Sequence, residues 1–230
     1  MRTWIAAVIA AAVSSACYGP PVSAPATRVT QETPVRASQN PSNKVDILFM
    51  VDNSLSMDAM QAELRRRFGD FLSVFDDLAA DGVFADLHIG VVTSDYGAGD
   101  KAASGGCDAS PGGQRGLLQA VGQAATGCSG PVGMPFISFV YGPGGATDNL
   151  PSGQTLAATF TCMATVGANG CGFEHPLESV YAALTNSVEN AGFVRDDAAL
   201  AVVFVTNEDD GSAPPTAKIR RTASSIAAPI

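Results

Sequence analysis

Two stretches of the chain are almost unbrokenly apolar, and each stops abruptly in oxygen-bearing side chains. Residues 45–51 (Val-Asp-Ile-Leu-Phe-Met-Val) run into Asp52-Asn53-Ser54, and residues 199–206 run into Asn207-Glu208-Asp209-Asp210. Runs of this length bounded by polar residues read as strands buried on both faces. A third, 87–93, ends in Ser94-Asp95. Between the first and third, Met57, Met60, Leu64, Phe68, Phe71, Leu72, Phe75 and Leu78 recur at helical spacing with charged residues between them. That pattern predicts an amphipathic helix, with Ser56 as its N-cap, Asp58 in its first turn and Gly82 closing its far end. Residues 136–141 predict a further strand, and 156–166 and 178–188 predict helices. The stretch 97–133 is rich in Gly, Ala, Ser and Pro without a sustained period, and reads as a long excursion. Strands alternating with helices imply an α/β fold of Rossmann-like type, an open, mostly parallel sheet with helices on both faces and ligands bound outside the carboxyl ends of the strands.

The N-terminal segment has a different character. Arg2, an apolar run over 4–13 and the small residues Ser14-Ser15-Ala16 read as a secretory signal, residues 1–16. The run is shorter than the roughly 20 residues a membrane-spanning helix needs. Cys17 follows the small residues directly, so the segment resembles the lipobox of bacterial lipoproteins and implies lipidation at Cys17. Ser14 stands where that motif usually has Leu, and plain cleavage after Ala16 is the alternative. Five prolines among Ser, Thr and Gln mark 17–43 as a stiff, solvated linker. A folded domain is expected over 44–211 and an irregular tail over 212–230.

Composition narrows the function classes. The chain has 230 residues, 46% of them hydrophobic, and a formal net charge of −9, which excludes a disordered chain and argues against nucleic-acid binding. With Cys17 set aside, Cys107, Cys128, Cys162 and Cys171 form an even set suited to an oxidising compartment. Loop-closure entropy favours near neighbours, so Cys107–Cys128 and Cys162–Cys171 are the expected disulfides. The rival, a structural zinc site, lacks the usual close cysteine pairs.

Candidate chemistry lies at the strand ends. Asp52-Asn53-Ser54-Leu55-Ser56 places a carboxylate and two hydroxyls at alternate positions of a turn, an oxygen set suited to a hard divalent cation that keeps some of its water. A buried strand before this D-x-S-x-S turn, an amphipathic helix after it and a second buried strand ending in acids together resemble the von Willebrand factor A domain and its metal-ion-dependent adhesion site. The resemblance covers roughly 45–211. It implies a divalent cation, Mg²⁺ first with Ca²⁺ or Mn²⁺ as alternatives, whose coordination is completed by a carboxylate of a protein partner. Carried over by position, Asp52, Ser54 and Ser56 match the first loop. Where the family has Gly-Thr this chain has Gly172-Phe173-Glu174, and where it has Thr-Asp-Gly this chain has Thr206-Asn207-Glu208. Glu174, Asn207 and Asp209 complete the expected ligand set, with Glu174 compensating for the amide at Asn207.

Residues 212–230 show no buried-strand pattern, so the family's final strand and helices are expected to be lacking. A G-x-S-x-G elbow, an H-E-x-x-H pair and a Walker-type loop are all absent from the sequence, His88 falls mid-strand, and His175 stands beside Glu174. The expectation is a non-enzymatic binding or adhesion module of the bacterial cell envelope, attached to the membrane only through a lipid at Cys17. A metal-free structural envelope lipoprotein is the alternative, and a metal-dependent hydrolase a further one.

Overall fold

Two of the apolar runs, 45–51 and 87–93, become buried strands inside a sheet, whereas the run at 199–206, expected to be buried on both faces, is instead a partly exposed edge strand, since only one described strand flanks it. The computed structural model describes residues 42–98, 107, 112–185 and 188–212; the signal, the linker with Cys17 and residues 213–230 lie outside this range. Five strands, β1 (Lys44–Val51), β2 (Asp86–Thr93), β3 (Ile137–Val140), β4 (Thr147–Asp148) and β5 (Ala199–Val205), form one sheet in the order β4-β3-β2-β1-β5. β1 is parallel to both β2 and β5, whereas β3 runs antiparallel to β2 and to β4. The fold is therefore α/β with a mostly parallel core.

Alternation along β1 divides the core in two. Ile47, Phe49 and Val51 face Phe68 and Leu72 of α1 (Asp58–Ala80) and Phe160 and Met163 of α2 (Leu156–Ala164). Leu48 and Met50 face the other way, onto Val180 and Ala183 of α3 (Pro176–Thr185) together with Phe136 and Phe193. Helices thus cover both faces, as the unbroken apolar run requires. Phe160 joins the first layer, its ring 4.6 Å from that of Phe49 and 4.7 Å from that of Phe68. β5 forms the edge next to β1 and leaves Leu200 46% and Phe204 43% exposed.

Several local expectations change. A 3₁₀ turn, Leu55–Met57, precedes α1, with Ser54 at its N-cap position, so Ser56 is not the cap of α1. The Ser56 hydroxyl is committed instead to Ser54 and Asn207. α3 starts at Pro176, which has no N–H to satisfy, and its next two amides donate to Asp210 Oδ1 and Ser212 Oγ. The loop after β5 thereby caps a helix distant in sequence.

The disulfides also differ from expectation: Cys107 pairs with Cys171 and Cys128 with Cys162. Closing these longer loops costs only about 2 kcal/mol more than joining near neighbours, because closure entropy grows logarithmically. Packing outweighs that. Cys162 is fixed on buried α2, where the carbonyl of Cys162 accepts from Gly122 N–H and the excursion lies alongside. Cys171 belongs to the loop leading to Glu174. Two disulfides are consistent with an oxidising, exported environment. Among the described residues no helix is long and apolar enough to cross a membrane.

At the end of the sheet where β1 begins, Asp46 is buried and is held by Arg195. The Arg195 backbone N–H donates to Asp46 Oδ2 at 2.6 Å and its Nε to Oδ1 at 2.8 Å, while Nη1 reaches Asp86 Oδ1 at 2.5 Å. His88 Nδ1 donates to the Phe193 carbonyl at 2.8 Å and its ring packs, tilted, against Phe136, which makes it a packing residue. Arg195→Ala leaves the Asp46 carboxylate buried without its cation and is expected to cost about 3 kcal/mol in urea unfolding; an unchanged midpoint would contradict this. Proteolysis without reduction should release disulfide-linked peptides joining Cys128 to Cys162 and Cys107 to Cys171, read by mass spectrometry.

Candidate functional site

Parallel register sets the site. Val51 lies opposite Thr93 on one side and Val205 on the other, so the residues that follow, Ser94, Asp52 and Thr206, emerge side by side at the carboxyl edge of the sheet. Asp52 is in the middle and fully buried. Its Oδ1 accepts from the Ser54 amide at 2.8 Å and from the Ser94 hydroxyl at 2.9 Å, and its Oδ2 accepts from the Thr206 hydroxyl at 2.7 Å. The Asp52 amide donates to the Val205 carbonyl, and its carbonyl accepts from Gln61 Nε2 of α1, each at 2.9 Å. Three hydrogen bonds thus fix the carboxylate in place.

A row of oxygens leads outward from this anchor. Ser54 Oγ is 3.0 Å from Ser56 Oγ, and the Ser56 hydroxyl donates to Asn207 Oδ1 at 3.1 Å. Glu174 is carried in by a loop pinned at both sides. Its backbone bridges to Asp95, its carbonyl accepts from Gly211 N–H at 2.7 Å, and the adjacent His175 amide donates to the Ser94 carbonyl at 2.9 Å. Upstream, Gly170 N–H donates to the Asn53 carbonyl at 2.7 Å, and any side chain at Gly170 would collide with the Asn53 amide group. Glycine permits that approach.

Charge accumulates here. Burial pushes the Glu174 carboxyl above its ordinary range, and the negative charges of Asp52 and Glu208 push the same way, against its own backbone amide and the Ser54 hydroxyl. Burial lowers the His175 pKa, opposed by Asp210, Glu178 and Asp95, and the ring lies 6.0 Å from that of Tyr96.

Of the residues singled out in the sequence, Asp52, Ser54, Ser56, Glu174 and Asn207 come together. Asp209 is exposed and no hydrogen bond joins it to them; Glu208 is the acid whose charge reaches Glu174. Ser94, Thr206 and Gln61 were outside the expected set. The first two were findable, since each directly follows a buried strand parallel to β1; Gln61 depended on how α1 docks. Among the described residues no three of His, Cys, Asp and Glu group as metal ligands. The donors assembled here are instead mixed, hydroxyl, amide and carboxylate oxygens, the class that suits a hard cation.

Because folded Glu174 holds its proton more tightly than the unfolded chain does, its contribution to stability is greatest below the ordinary carboxyl pKa of 4.5 and is lost as pH rises through the raised folded value. In EDTA, Glu174→Gln should match the wild type near about pH 4 and become progressively more stable than it at higher pH. Urea unfolding across that range checks this, and a pH-independent difference would contradict it. Comparison with protein-family models, with curated proteins and with solved structures finds no match to this chain.

Proposed function

We propose that the protein is an exported binding module of the von Willebrand factor A type, without catalytic activity, that recognises a protein partner through a divalent cation held by Ser54, Ser56, Asn207 and Glu174. Asp52 anchors the loop. The observation that carries this reading is the spacing of the oxygens. Neighbouring ligands on an octahedral Mg²⁺, about 2.1 Å from the ion, lie about 3 Å apart, and Ser54 Oγ, Ser56 Oγ and Asn207 Oδ1 follow one another at 3.0 and 3.1 Å. A cation would offset the clustered charge of Glu174, Asp52 and Glu208, and it would supply an electropositive point for a partner's carboxylate. Mg²⁺ is the first choice, with Ca²⁺ or Mn²⁺ as alternatives. A lipid at Cys17 with the linker over 17–43 would tether the module to the bacterial envelope, on the outer membrane or cell surface.

One observation favours a second reading, a metal-free envelope lipoprotein. Asp52 is already satisfied by three protein donors, and Asn207 brings an amide where a carboxylate would bind a cation more strongly.

Thermal unfolding in EDTA and then in Mg²⁺, Mn²⁺ or Ca²⁺ distinguishes the two. A cation at about 100 times its Kd adds about 2.7 kcal/mol to stability and raises the midpoint. Ser56→Ala, at an exposed position, should leave the EDTA midpoint nearly unchanged and remove most of that rise. No shift at millimolar cation would favour the metal-free reading.

A further inference from the structure

A groove of about 1020 Å³ starts at Leu55, between the two serines of the candidate site, and runs along one face of α1 to Gly69. Its opposite wall is built of small residues, among them Ala124, Thr126, Ala158, Thr161 and Gly167. Such a wall admits a backbone lying in the groove. Leu55, 77% exposed, presents an apolar side chain at the entrance.

Charge narrows the occupant. The chain carries −9 overall, yet Arg65 and Arg66 line this groove. Arg66 pairs with Glu63, and Arg67 with Glu63 and Asp70. Arg65 is half-buried and has no acidic partner among the described residues. A half-buried guanidinium lining a groove whose one acid, Asp58, is not paired with it, in a chain this acidic, is complementary to an anionic ligand.

The geometry points to an extended acidic peptide segment of a partner protein as the occupant, with one carboxylate at the candidate cation site and a second on Arg65. This deepens the proposed function and rests on it for the inner anchor. Arg65 lies about 16 Å from Leu55, three residues of 3₁₀ turn at about 2 Å and seven of α1 at about 1.5 Å per residue, which roughly five residues of extended chain would span. Asp58, on the same wall between the two anchors, disfavours an acid midway. The two acids therefore belong at the ends of the segment, separated by small residues.

The test is an NMR titration of the protein in Mg²⁺ with a capped hexapeptide carrying aspartate at both ends and four alanines between. Saturable binding is expected, with shifts at Arg65 Nε. Arg65→Glu, or replacing one terminal aspartate with alanine, should weaken it about tenfold, and a hexapeptide with lysine at both ends should not bind. Equal binding by wild type and Arg65→Glu, equal binding of the lysine peptide, or no saturable binding at millimolar peptide overturns the inference. Binding that survives EDTA and Ser56→Ala but falls with Arg65→Glu retains the Arg65 anchor and overturns the inner, cation-held one. A cation-induced rise in midpoint without Arg65-dependent binding overturns the groove alone.

Discussion

The clasp on Asp52 is the interaction on which the rest of the site depends. A carboxylate buried at the end of a central strand has no water to solvate it, so it must be met by donors in the protein. Here the donors are supplied by register. Ser94 and Thr206 flank Asp52 because β2 and β5 run parallel to β1 with Thr93 and Val205 opposite Val51. A one-residue slip of either strand would carry its hydroxyl away from the Asp52 carboxylate and break the packing of that strand's side chains against the helices. The polar clasp and the hydrophobic layers thus select the same alignment.

Position then follows from that anchor. With Asp52 fixed, the Ser54 amide turns in to its Oδ1, and the chain continues through a 3₁₀ turn before α1 begins. That turn presents Ser54 and Ser56 on the same side, toward Asn207. Glu174 arrives from elsewhere. Its loop is tied to Cys107 through Cys171, to Asn53 through Gly170 and to the segment after β5 through Gly211. The site is therefore held by covalent and backbone bonds drawn from four parts of the chain, which lets it tolerate the mutual repulsion of Glu174, Asp52 and Glu208.

The far end of the sheet solves a similar problem by opposite means. Asp46 is also a buried acid, but it is neutralised by Arg195 in an ion pair that also takes in Asp86. A carboxylate compensated by a cation is inert. Asp52 is held by hydroxyls and an amide instead, and beside it the half-buried Glu174 carboxyl has its pKa raised, by burial first and then by its acidic neighbours. The two buried acids differ in the chemistry of the groups that meet them.

Much of this was legible in the sequence. Unbroken apolar runs ending in acids specified strands, and β1 and β2 are buried as expected, but that β5 lies at the sheet edge and stays partly exposed was not legible; three- and four-residue spacing specifies α1. The D-x-S-x-S turn is local and its oxygens converge through the backbone geometry of five residues. The disulfide pairing was not legible, since loop entropy separates the alternatives by little and the choice is made by where α2 and the Glu174 loop pack. Nor was the antiparallel direction of β3, whose alternation looks the same in either sense. Asp209 and Glu208 are adjacent acids that only the path of the chain after β5 tells apart. What sequence determined is whatever short-range pattern dictates; the tertiary structure decided every contact between segments far apart in the chain, because those depend on register and packing that no local stretch encodes.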